Sequence, residues 1–148
     1  LIDDSYNASP SSMTAAITHL ATQSGGIKSA ILSDMLELGD GGHDAHIDLV
    51  IPLMQAGISR LITVGKIMAV VGERLAPHIE VKSFKTADDV ISQIISAPEQ
   101  IIGNSTIILV KGSHGSGAHL IATQLMAFGA LAPPSISSSH EGVTPDAT

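Results

Sequence analysis

Cysteine and tryptophan are absent from the 148 residues, and only three aromatic side chains occur: Tyr6, Phe84 and Phe128. Without cysteine there is no disulfide scaffold, no thiolate zinc site and no cysteine nucleophile, and the composition suits a cytoplasmic protein. Basic residues are scarce. Seven Lys and Arg stand against 14 Asp and Glu, a formal charge of −7, the wrong sign for a nucleic-acid or anionic-membrane surface. No apolar run approaches the roughly 18 residues that a membrane-spanning helix requires. The opening Leu1-Ile2-Asp3-Asp4 lacks the basic and apolar regions of a signal peptide. An initiator methionine is missing too, so the start reads as mid-strand in a domain cut from a longer protein.

The rest is aliphatic: hydrophobic residues make up 44% and charged residues 14%. That balance fits one domain with a core of its own, and short aliphatic runs suit parallel strands covered by helices. Such runs occur at Leu1-Ile2, 28–32, 60–64, 81–84 and 106–110. Between them lie helical patterns. The first starts at Pro10, a residue suited to a helix's first turn, and stops at Gly25-Gly26. The second spans about 40–56, with Pro52 predicting a kink or a late start. Others cover 68–75, 87–96 (with Thr86 and Asp89 as a variant capping box) and 118–128. The alternation predicts a doubly wound α/β fold: a mostly parallel sheet of about six strands with helices on both faces. Residues 1–129 form the expected domain. The Ser/Pro-rich stretch 130–148 is expected to be a flexible tail.

Ligands of an open parallel sheet bind at the carboxyl ends of its strands. Three polar segments follow strands here: 3–10 (DDSYNASP), 33–39 (SDMLELG) and 111–117 (KGSHGSG). In a parallel sheet all three share one rim. The first combines carboxylates, an aromatic face and an amide, the groups that recognise a nucleoside, although Asp4 or Ser9 also suits a helix cap. The third sets Lys111 and backbone N–H groups before a helix, a ready anion site. It is not a P-loop, because GxxxxGK[ST] is absent. Asp34 and Glu37 fit the same rim or a solvated turn. His43 and His46, beside Asp40, Asp44 and Asp48, lack an obvious third metal ligand, and surface solvation explains them better.

The same segments carry a family resemblance. Residues 4–10 (DSYNASP) resemble the DSYNANP signature of Mur ligases of the D-alanyl-D-alanine-adding class. Residues 33–39 are similar to their GDMxELG, and 109–113 (LVKGS) to their LVKGSR. His46 fits a position that is often histidine there, and 56–61 (AGISRL) is similar to AGIDRL. The match runs in order over about residues 1–128. The resemblance implies the C-terminal, Rossmann-like domain of a three-domain, ATP-dependent ligase of cell-wall synthesis. In that family a carboxylate of UDP-N-acetylmuramoyl-tripeptide becomes an acyl phosphate, which the amine of D-alanyl-D-alanine attacks. The missing partners would be the N-terminal and central domains, the latter supplying the P-loop and most Mg2+ ligands. Position by position, the resemblance assigns Asp4, Tyr6 and Asn7 to adenosine of ATP, and Asp34, Lys111, Ser113 and Ser116 to the dipeptide. It assigns no catalytic residue and no metal ligand to this chain alone.

Two positions depart from the pattern. Ser33 stands for glycine, which reshapes a turn, and His114 stands for arginine, which exchanges a permanent cation for an imidazole. A related folylpolyglutamate-synthase-type ligase domain is a competing reading, opposed by Tyr6-Asn7-Ala8. A free-standing, non-catalytic nucleotide-binding module is another, and an upstream P-loop in the same reading frame would separate it from the ligase.

Overall fold

A computed structural model describes residues 1–131. Five strands form one parallel sheet in the order β1-β5-β2-β3-β4: β1 (Ile2–Asp4), β2 (Lys28–Ser33), β3 (Arg60–Val64), β4 (Glu80–Phe84) and β5 (Ile107–Lys111). This is one strand fewer than the expected six among the described residues, where β5 is followed by a short turn and a helix. The helices are α1 (Pro10–Thr22), α2 (Gly42–Ile47), α3 (Val50–Gln55), α4 (Lys66–Leu75), α5 (Ala87–Ser96) and α6 (Ala118–Leu131). The last extends two residues beyond the expected domain boundary. The remainder of the predicted tail lies outside the described residues. No described helix is long and apolar enough to cross a membrane.

Alternation along the strands builds two cores. Ala30, Leu32, Leu61 and Leu109 face α1, α3 and α4, meeting Met13, Leu20, Leu53, Met68 and Val71. Their neighbours Ile31, Ile62, Val64 and Val110 face α5 and α6, meeting Val90, Ile94, Ile121 and Leu125. Period-two strands thus feed both faces. Winding reverses after β4, since the chain returns to insert β5 between β1 and β2. Loops leaving β5 and β2 consequently head to opposite faces, which opens a crevice at the carboxyl rim.

Pro52 accounts for the split second helix. Its ring would crowd the carbonyl four residues back, at Asp48, and the chain breaks there into α2 and α3. The break places His46 at the end of α2, wholly buried. Its Nε2 accepts the Met35 N–H at 2.9 Å and its Nδ1 meets the Gly42 carbonyl at 2.6 Å. The first bond assigns the ring proton to Nδ1. His46 therefore anchors the loop after β2 rather than holding a metal. His43 is exposed beside Asp44, and no group of three potential metal-ligating side chains occurs among the described residues.

Replacing His46 by Leu strands a buried N–H and a buried carbonyl at once. We expect a loss of about 2–4 kcal/mol, read as a lowered urea midpoint with an unchanged slope. A variant within about 0.5 kcal/mol of the parent would contradict this role.

Candidate functional site

The site is built from Lys111 outward. Strand register sets Asp4 directly beside Lys111, so both side chains project from the same face. The lysine is 2% exposed. Its Nζ lies 3.0 Å from Asp4 Oδ2 and donates to the Asn7 carbonyl at 2.8 Å. A buried ammonium is tolerable only when paired and hydrogen-bonded, and these two acceptors meet that demand. The loop from Asp4 to Asn7 is thereby tied down on β5. Two residues later Ser9 starts α1: its Oγ accepts the Ser12 N–H, and Ser12 Oγ accepts the Ser9 N–H, with Pro10 at the first helical position. Asp4 is thus an ion-pair partner and Ser9 is the cap.

The turn after β5 packs tightly on the end of β2. A Cβ on Gly112 would stand 1.5 Å from Ser33 Oγ, so only glycine fits there. Ser116 Oγ donates to the Ser113 carbonyl and also meets Ser33 Oγ. With the Ser116 proton engaged, Ser33 is the donor of that pair. Ser33, which departs from the family pattern, is therefore a buried hydroxyl joining two loops. Ser113 Oγ accepts the Leu36 N–H at 2.9 Å and fixes the loop after β2 from the other side.

Asp34 looks toward the neighbouring loop. Its carboxylate accepts the N–H of Met68 at 2.7 Å and, more loosely, of Ile67 at 3.4 Å, at the start of α4. An anion at a helix N-terminus is stabilised by the unpaired N–H groups there. Gly65 makes this approach possible: its φ is +105° and a Cβ would fall 2.4 Å from the Asp34 carboxyl carbon. Glu37 adopts φ +63°, in the left-handed region that non-glycine residues rarely occupy.

Flat rings border this rim. Tyr6, 70% exposed, tilts against His114 with ring centroids 5.1 Å apart. His114 stacks on His119 at 4.1 Å, nearly parallel. A cleft of about 290 Å³ opens beside Gly65, Lys66, Phe84 and Lys85, and two others lie between the motif loops. One, of about 260 Å³, is lined by residues 7, 8, 36, 37 and 113–115. The other, of about 300 Å³, lies between Asp34, Gly65, Lys85, Thr86 and Ser116, with Leu36, Val64 and Ala87 as its apolar wall. Leu36 and Gly115 border both.

All seven residues singled out in the sequence thus lie on one rim. Asp4, Asn7 and Lys111 are in direct contact, and Tyr6 sits over the turn that carries Ser113 and Ser116. Asp34 and Ser116 belong to the larger cleft, whereas Lys111 is buried beneath the first loop. Lys85 and Gly65 were not singled out. Their signal was topological: every loop that follows a parallel strand reaches this rim, the short Lys85-Thr86 connection included.

A family model described as "Mur ligase, glutamate ligase domain" matches residues 1–114. The chain belongs to this Mur ligase domain family. Relatives include the UDP-N-acetylmuramoyl-tripeptide--D-alanyl-D-alanine ligases of Rickettsia prowazekii, 36% identical over 78% of this chain and 25% of that protein, and of Bacillus subtilis, 33% identical over 85% and 28%. Among solved structures, MurF from Acinetobacter baumannii superposes with a TM-score of 0.68 at 30% identity, over 83% of this chain and 27% of that one. The chain therefore spans about a quarter of the length of the relatives it matches.

The Lys111 anchor predicts a local defect. Lys111→Met keeps the aliphatic stem and deletes the ammonium, so the Asn7 carbonyl and Asp4 lose their partner. We expect about 1–3 kcal/mol of destabilisation, with amide exchange accelerated most at residues 5–9. Uniform acceleration across the sheet, without emphasis on that loop, would contradict the anchoring role.

Proposed function

We propose that this chain is the C-terminal domain of an ATP-dependent amide-bond-forming ligase, one that adds D-alanyl-D-alanine to UDP-N-acetylmuramoyl-tripeptide in the cytoplasm. The observation that carries the reading is the convergence of the three motif loops on one rim, in a chain whose relatives bear that name.

The reading divides the rim between two ligands. Asp4, Tyr6 and Asn7 take the adenosine of ATP: Tyr6 offers an exposed aromatic face, Asn7 an amide and Asp4 a half-exposed carboxylate for ribose hydroxyls. A MurF ligase of the same fold, from Thermotoga maritima, is described in complex with ADP (TM-score 0.62). Asp34, Ser113, Ser116 and Lys111 serve the dipeptide side, Lys111 through the loop it holds in place, since its ammonium is paired with Asp4 and the Asn7 carbonyl. Mg2+ would accompany the triphosphate. The family resemblance assigns most of the metal's ligands to the central domain and the UDP-linked substrate to the N-terminal domain.

Phosphoryl transfer needs a phosphate cradle and charge neutralisation, and this chain carries no P-loop. The rim is a half-site for each ligand. Calorimetry on the 148-residue chain with ATP and Mg2+ should give weak binding, on the order of millimolar. A phosphate-release assay with D-alanyl-D-alanine added should show no turnover. The complete polypeptide should release phosphate only with both the UDP-tripeptide and the dipeptide present. Micromolar affinity or sustained turnover by the chain alone would contradict this division of labour.

A further inference from the structure

The larger cleft holds a cation that neither the motifs nor the relatives' names assign. Lys111, the motif lysine, has its ammonium engaged by Asp4 and the Asn7 carbonyl and is buried beneath the first loop. Lys85, by contrast, is exposed and lines the cleft, with no hydrogen-bond or ion-pair partner among the described residues. Its backbone follows β4 and immediately precedes Thr86, the cap of α5, so its Cα is fixed by the sheet on one side and a capped helix on the other. The first-turn carboxylates of α5, Asp88 and Asp89, are not among the cleft's lining residues.

Across the same cleft stands Asp34, which accepts only the two backbone N–H groups of α4. A carboxylate has roughly four acceptor positions, so capacity remains for a further donor. Between these opposite charges lie small and aliphatic groups: Leu36, Val64 and Ala87. A volume of about 300 Å³ with a cation, an anion and an apolar strip between them fits a small zwitterion with short aliphatic side chains.

We propose that Lys85 holds the terminal carboxylate of the incoming dipeptide, with its amino end directed toward Asp34 and its methyl groups on Leu36, Val64 and Ala87. This rests on the ligase reading above and deepens it by naming the residue that selects for a free carboxyl terminus. Lys85 is a specificity determinant here and takes no part in bond making.

The test uses the complete polypeptide with Lys85→Met and compares D-alanyl-D-alanine with its C-terminal amide. The parent should prefer the acid strongly. In Lys85→Met, KM for the acid should rise at least about 10-fold, as loss of a charge-assisted contact implies, while KM for ATP stays unchanged. The decisive readout is discrimination: the variant should use acid and amide with similar kcat/KM, whereas Lys85→Arg should restore part of the preference. A merely structural lysine would leave the acid-to-amide ratio intact, and a parent-like ratio in Lys85→Met would overturn the proposal while leaving the ligase reading standing. A parent enzyme that uses neither dipeptide would overturn the ligase reading itself, and this proposal with it.

Discussion

The rim is organised by one buried ammonium. Lys111 ends β5 and reaches under the neighbouring loop, where Asp4 and the Asn7 carbonyl complete its coordination. Removing a charge from water is costly unless its partners are well placed, and here parallel register supplies one partner automatically, since Asp4 and Lys111 are opposed in the sheet. Once β1 and its loop are held, Tyr6 is carried over the following turn against His114. The Gly112–Ser33 contact and the Ser113–Leu36 bond then bring the loop after β2 to the same place. Three segments far apart in sequence become one surface through a few specific bonds.

The acidic character of the chain takes on a different meaning at this rim. Its formal charge is −7, yet three of its few lysines lie at or beneath this rim, Lys111 internal and Lys66 and Lys85 exposed. Asp4 answers the first and Asp34 answers the N-terminus of α4. Local pairing therefore leaves Lys85 as a cation at the larger cleft, against the sign of the whole molecule. The cleft thus offers a positive charge without a basic surface.

Much of the fold was legible because aliphatic runs and helical spacing rarely conflict in this chain. The five apolar runs are the five strands, shifted by a residue or so, since strand ends depend on pairing that a single segment does not encode. A sixth strand has no apolar run to supply it. Pro52 signalled a disturbed helix, and the clash with the residue 48 carbonyl explains a break rather than a kink. The shared rim was legible from topology alone. Side-chain roles were less so. Lys111 and Lys85 are both lysines at strand ends, and only the three-dimensional partners distinguish the buried tie from the free cation. Asp34 reads as a rim carboxylate in either case, yet its engagement with α4 depends on Gly65, thirty-one residues away. His46 looked like a solvated surface residue because nothing local marks the carbonyl and the N–H that it joins.

The proposed binding surface is the carboxyl rim alone. It is tested most directly by titrating the isotope-labelled 148-residue chain separately with D-alanyl-D-alanine and with ADP, and following backbone amide shifts. Changes should be confined to the loops at 4–9, 33–38, 65–66, 85–87 and 112–117, with the dipeptide acting most on the loops around Lys85 and Asp34 and the nucleotide on those around Tyr6. Shifts concentrated at the opposite rim, near 25–28, 57–59 and 103–106, would contradict it, as would no response to either ligand at tens of millimolar.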